Sequence, residues 1–134
     1  MSAFGTLAQS KRQKGPIMGS DAPEVAAIEA AARDYVEGWY TGDVERIDRA
    51  LHADLVKRIP TGEGLQQVTK ERMVEMTAGG GGESPDAEFE IEVYDISEGV
   101  ASARTVSPEY VDYLHLVETP DGWKIANVLF ITRD

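Results

Sequence analysis

Near residue 86 the spacing of apolar residues shifts from the helical period of about 3.6 to the strand period of two. That shift constrains the fold more than any other feature of the chain. Before it, Val25, Ile28, Ala32, Tyr35, Val36 and Trp39 recur at helical spacing. Asp21-Ala22-Pro23-Glu24 supplies a capping signal ahead of them, and Gly42 a stop behind. Asp43 caps a second, short helix with Val44, Ile47, Ala50 and Leu51 as its stripe. Leu55 to Ile59 reads as a short strand closed by Pro60 and the turn Thr61-Gly62-Glu63-Gly64. Thr69 caps a third helix carrying Met73, Val74 and Met76, which ends in a flexible loop at Gly79-Gly80-Gly81-Gly82. Beyond the shift, Phe89, Ile91 and Val93 alternate with Glu88, Glu90 and Glu92. Strands over Val100–Val106, Tyr110–Val117 and Trp123–Ile131 follow, the last two joined by the tight turn Thr119-Pro120-Asp121-Gly122. Helices first and strands after predict an α+β domain, with three helices packed on one face of a curved antiparallel sheet.

Composition removes whole classes of function. The 134 residues suit one domain. With no cysteine there is no disulfide scaffold, thiol nucleophile, iron–sulfur cluster or Cys-based zinc site. A net charge of −11 repels phosphate backbones, so no nucleic-acid partner is expected. No apolar run approaches the ~20 residues of a membrane helix, and no secretory signal pattern is present, so a cytoplasmic protein without a membrane partner is expected. Residues 1–22 carry Lys11, Arg12 and Lys14 against Asp21, are broken by Gly5, Gly15, Pro16 and Gly19, and form no apolar stripe. They read as a mobile N-terminal tail before a single domain over 23–134.

The last hairpin predicts which side chains share a face. If Thr119 pairs with Gly122, one face carries Tyr110, Asp112, Leu114, Leu116, Trp123, Ile125, Asn127 and Leu129. The other carries Val111, Tyr113, His115, Val117, Lys124, Ala126, Val128 and Phe130. Both are largely apolar, so one face is expected to take the helices and the other a second subunit. The expected homodimer meets through Val111, Tyr113, His115, Val128 and Phe130. On the helix side, Asp112 and Asn127 are polar among apolar neighbours. They either form a satisfied core network, Asp112 pairing with Tyr110 or Arg104, or open onto a ligand pocket between the first helix and the sheet.

The run Tyr35-Val36-Glu37-Gly38-Trp39-Tyr40-Thr41-Gly42-Asp43, followed by Ala50-Leu51-His52-Ala53-Asp54, resembles the nuclear transport factor 2-like superfamily. The later runs, Tyr110-Val111-Asp112-Tyr113-Leu114-His115-Leu116 and Asp121-Gly122-Trp123-Lys124-Ile125-Ala126-Asn127, resemble its branch labelled putative lumazine-binding. The resemblance covers residues 24–133 and implies a cone-shaped bent sheet wrapped around helices, the cystatin-like arrangement, with dimers formed through the convex side. It is also distantly similar to ketosteroid isomerase, which uses a carboxylate base with a Tyr and a protonated Asp as oxyanion hole. By position Tyr35 matches that Tyr and Asp112 that Asp. The base belongs on the strand just before Pro60, where this chain has Lys57-Arg58-Ile59 and no carboxylate.

His52 is the remaining titratable candidate, either an acid–base group or a residue that merely ends the second helix. No third ligand is spaced to join His52 and Asp54 in a metal site, and no cofactor is expected. One of Lys57 and Arg58, alternating along their strand, points inward to hold an anionic ligand. Three readings follow. The first is a dimeric binding protein for a small hydrophobic or heteroaromatic ligand, with a cavity rimmed by Tyr35, Trp39, Arg104, Tyr110, Asp112 and Asn127. The second is an isomerase- or dehydratase-like enzyme using His52 or Asp112 with Tyr35. The third is a structural or interaction module without a ligand.

Overall fold

The computed structural model describes residues 22–82, 84 and 86–133. Helix α1 spans Ala22–Thr41, α2 Val44–Ala50 and α3 Lys70–Ala78. The strands are β1 Leu51–Thr61, β2 Gly64–Val68, β3 Glu90–Ser97, β4 Val100–Val106, β5 Tyr110–Thr119 and β6 Gly122–Thr132. The expected tail lies outside the described residues except for Ala22, which opens α1. The Asp21 capping signal lies outside them too.

The helix boundaries follow local chemistry. At the end of α1, Gly42 takes φ 72° and its N–H donates to Trp39 O, while Asp43 N–H donates to Gly38 O at 2.8 Å. This paired closure needs a left-handed residue, which glycine adopts without a Cβ penalty. Asp43 then caps α2 by accepting from Arg46 N–H, and Thr69 caps α3 by accepting from Arg72 N–H. The glycine run after α3 is docked rather than free. Gly82 N–H donates to Trp39 O at 2.9 Å, and a Cβ on Gly82 would meet the Tyr40 ring at 2.6 Å. The close approach of this loop to α1 is what requires glycine there.

The six strands form one open sheet in the order β2-β1-β6-β5-β4-β3. It is mixed, not wholly antiparallel as expected, because β1 runs parallel to β6. The expected short strand at Leu55–Ile59 is extended to eleven residues, taking Leu51 from the second helix. Strand β2 was not anticipated. Its Gly64-Leu65-Gln66-Gln67-Val68 is largely exposed and pairs with β1 alone, so it carries no buried periodicity. One face of the sheet takes the helices, and Ile28, Ile47, Leu51, Met73, Leu114, Leu116, Ile125 and Val128 are fully buried there. Among the described residues no helix is long and apolar enough to cross a membrane.

A bulge in β6 overturns the expected face assignment. Leu116 pairs with Ile125 as expected, but His115 then pairs with Asn127, Leu114 with Val128 and Asp112 with Phe130. The extra residue is Ala126. One additional residue reverses the parity of everything after it. Val128 and Phe130 therefore face the helices, at 0% and 9% exposure, rather than a second subunit. Asn127 and Leu129 face outward. The outer face instead carries Val111, Tyr113, His115, Leu129 and Ile131.

Candidate functional site

The core opens into a cavity of about 260 Å³ between α1, α3 and the inner face of β1, β2, β5 and β6. Its walls are aromatic and thioether: Tyr35, Trp39, Tyr40, Tyr110, Phe130, Met73 and Met76. Tyr110 and Phe130 meet edge to face, with ring centroids 5.8 Å apart. Gln66, on exposed β2, also lines the cavity, which therefore reaches solvent beside that strand.

Three polar side chains from three elements converge on one wall. Tyr35 lies on the buried stripe of α1, one turn beyond Ala31 and Ala32. Asp112 alternates with Leu114 and Leu116 on the inner face of β5. Lys57 lies between buried Leu55 and half-buried Ile59 on β1, its Cα beside Val128. Lys57 Nζ donates to Tyr35 Oη at 2.7 Å, and Tyr35 Oη donates to Asp112 Oδ2 at 2.7 Å. Lys57 and Asp112 thus interact through the phenol rather than by direct contact. Nζ also lies 3.3 Å from Met73 Sδ, 4.6 Å from the centre of the Phe130 ring and 5.0 Å from that of Tyr35.

Electrostatics in this wall is a contest between burial and pairing. Burial pushes the Lys57 ammonium down to about 8, with the Asp112 charge opposing the fall. Burial likewise raises Asp112 above the usual carboxylate range, partly offset by Lys57 and by the Tyr35 hydrogen bond. Tyr35 is raised well above its ordinary value, by burial first and then by Asp112. The phenol therefore stays protonated and connects a weakly held cation to a weakly held carboxylate.

A second polar cluster closes the far side. Tyr40 Oη donates to Ser107 Oγ at 3.2 Å and accepts from Glu109 N–H at 3.2 Å. Trp39 Nε1 is buried without a hydrogen-bond partner among the described residues, an unmet donor on a cavity-lining side chain.

Of the residues expected at the site, Tyr35, Trp39, Tyr110 and Asp112 line the cavity together. Arg104, Asn127 and His52 do not. Arg104 lies on the outer face opposite Tyr113 and pairs with Glu92 at 3.0 Å, so the Asp112–Arg104 pair considered from sequence does not form. Asn127 is carried outward by the bulge, where its Nδ2 lies 3.1 Å from His115 Nδ1. His52 turns back on its own strand, Nδ1 accepting from Asp54 N–H at 2.9 Å, away from the cavity. Of the Lys57 and Arg58 pair, Lys57 points inward. Strand parity carried that answer, since Leu55, Lys57 and Ile59 share a face. Ile59 itself lines the cavity beside Pro60, where the resemblance to ketosteroid isomerase places a base. Phe130 was missed because the bulge is invisible in the hydrophobic pattern.

Solved structures share this architecture. A nuclear transport factor 2-like protein of unknown function from Shewanella baltica superposes with a TM-score of 0.75 at 18% identity, covering 89% of this chain and 99% of that one. Another, from Silicibacter pomeroyi, gives 0.74 at 16% identity, covering 87% and 100%. A ketosteroid isomerase-like protein from Erwinia carotovora atroseptica gives 0.63 at 22% identity, covering 83% and 97%. No curated protein matches the sequence. The chain has the nuclear transport factor 2-like fold, an α+β architecture shared by proteins of many activities. Within it, residues 23–131 match the family described as "Putative lumazine-binding", and the chain belongs to that family.

Proposed function

We propose that the protein binds a flat, mostly hydrophobic small molecule that presents one oxygen to the Lys57–Tyr35–Asp112 wall. The observation carrying this reading is the pairing of an aromatic cavity of about 260 Å³ with a single buried cation on its wall. Such a cavity gains affinity from apolar burial and orientation from the few polar groups it holds. Lys57 favours an acceptor oxygen on the ligand. A heteroaromatic dione fits that description, and so does the family's description. The carboxylate base that proton abstraction would use is replaced by Ile59 beside Pro60, which favours binding over isomerase-type chemistry.

The cavity wall contains Trp39, so binding has a built-in reporter. Titration with lumazine and, separately, with 2-naphthol is expected to quench tryptophan emission saturably, and Trp39→Phe to abolish most of that change. Absence of saturable quenching by either compound overturns the reading.

We further infer that the working unit is a homodimer formed through the outer face of the sheet. Strand register places Val106, Val111 and Ile131 in one row and Arg104, Tyr113, Leu129 and Arg58 in the next. Tyr113, Leu129 and Ile131 are 46%, 42% and 47% exposed, a contiguous apolar patch suited to a second copy.

A further inference from the structure

Lys57 has a placement that simple binding does not require. Its Nζ is inside the aromatic cavity, held by one phenol oxygen and one thioether sulfur, and no carboxylate among the described residues is in direct contact with it. A lysine retained only as an anchor for anions needs its proton, and burial without a directly bonded counter-ion works against keeping it. This one has Asp112 at one remove, behind a phenol that donates to the carboxylate and accepts from the amine.

We propose that Lys57 is a carbonyl-capturing amine, and that the cavity takes an aldehyde or ketone on a flat hydrophobic frame, which Lys57 converts to a Schiff base. The inference rests on the small-molecule-binding reading above and names the chemical class of the ligand. Three features of the wall support it. The apolar surroundings bring Lys57 down to about 8, so that near pH 8 about half of the side chain is the nucleophilic free amine, against well under about 1% of a solvated lysine. The rings of Tyr35 and Phe130 flank Nζ and suit a flat substituent next to the reacting carbon. Tyr35 Oη lies within hydrogen-bond reach of the amine and of Asp112, the geometry of a proton carrier.

The step balances with these groups and one proton from solvent, which reaches the cavity beside β2. The neutral amine of Lys57 adds its lone pair to the carbonyl carbon, the C–O π bond breaks, and the oxygen takes the amine proton by way of Tyr35. The resulting carbinolamine loses its hydroxyl as water on taking up the solvent proton. Products are a protonated imine on Lys57 and one water, with the charge on Asp112 unchanged. The iminium carries the single positive charge that the Lys57 ammonium carries at rest. Among the described residues the other titratable groups lining the cavity are Tyr40 on α1 and Tyr110 on β5, while α3 and β6 present Met73, Met76 and Phe130 to it.

The test uses 2-naphthaldehyde with cyanoborohydride, which reduces an imine to a stable amine, followed by peptide mapping by mass spectrometry. Mapping is essential because Lys70, Lys124 and any α-amine also react. Adduct on Lys57 is expected to accumulate at least about ten-fold faster than on Lys70 or Lys124, with a pH midpoint near 8 and slowing by excess 2-naphthol. Tyr35→Phe is expected to slow the Lys57 adduct by about ten-fold or more, as loss of a proton carrier does. If 2-naphthol quenches Trp39 while Lys57 is labelled no faster than Lys70 and Lys124, the covalent proposal fails and the binding reading stands. If neither quenching nor selective labelling is seen, both fail.

Discussion

Lys57 is held as a buried cation at a cost that the rest of the wall only partly offsets. The fall from 10.5 to about 8 corresponds to about 3 kcal/mol of unfavourable transfer remaining after the attraction of Asp112. The pH dependence follows from proton counting. Between the folded value near 8 and the unfolded value near 10.5, the unfolded chain holds more protons than the native one, so stability rises with pH across that window. From pH 7 to 9.5 the gain from this residue is about 2 kcal/mol. Tyr35 is raised well above its ordinary value and stays neutral throughout. Urea melts of the wild type are therefore expected to show a midpoint rising over that range. Lys57→Met, which removes the group responsible, is expected to flatten the profile; a wild-type midpoint that does not rise contradicts the assigned burial of the amine. Sequence alone placed Tyr35, Trp39, Tyr110 and Asp112 near one pocket because each sits in an apolar stripe of clear period. It left Lys57 and Arg58 undecided although the answer lay in parity with Leu55. A lysine in a buried position runs against the usual exposure of that residue type, and the ordinary expectation prevailed.

At the scale of elements, the β6 bulge decides which residues build the cavity. Everything up to Ile125 keeps the register that the Thr119-to-Gly122 turn sets, and everything from Asn127 onward is displaced by one residue. Inserting one alanine after Ala126 shifts every later residue by one more position and turns Asn127 and Leu129 inward while Val128 and Phe130 swing out. Phe130 and Val128 are core residues, and inserting Asn127 among apolar neighbours leaves a polar group without partners. The combined loss is expected to exceed about 4 kcal/mol, enough to abolish cooperative melting or lower its midpoint by many degrees. Ala126→Gly, which keeps the extra residue, is expected to cost only about 1 kcal/mol. Calorimetry on the two variants separates them; equal, small effects would show that the register tolerates either arrangement. The bulge explains why sequence reading succeeded on the helices and the existence of most strands yet failed on Asn127, Val128 and Phe130; Arg104 faces outward for a separate reason, its pairing with Tyr113 across β4 and β5. Periodicity reports which elements exist and leaves unmarked a single inserted residue between two apolar segments. It is equally blind to β2, whose exposed Gln66 and Gln67 carry no alternation.

At the scale of the whole molecule, the two faces of the sheet have separate tasks. The inner face packs the helices and walls the cavity, while the outer face leaves Tyr113, Leu129 and Ile131 exposed beside one another. Arg104 and Arg58 bracket the row through Tyr113 and Leu129, and each has a buried Nε without a partner among the described residues. A second copy related by a two-fold axis would cover the apolar centre of this row. Because Phe130 belongs to the cavity, a charge there would test the core rather than the interface. Leu129 is the sharper choice, since its side chain is exposed and its Cα pairs with Tyr113 at the centre of the patch. Sedimentation of the wild type at micromolar concentration is expected to give a dimer. Leu129→Glu places a carboxylate near its own symmetry mate and is expected to weaken association by at least about 3 kcal/mol, more than a hundred-fold, leaving a folded monomer. The variant's melting temperature, extrapolated to low protein concentration, should match that of the wild type, because the substituted position is solvated in the monomer. A wild type that sediments as a monomer removes the dimer from this account without touching the cavity, whose walls all come from one chain.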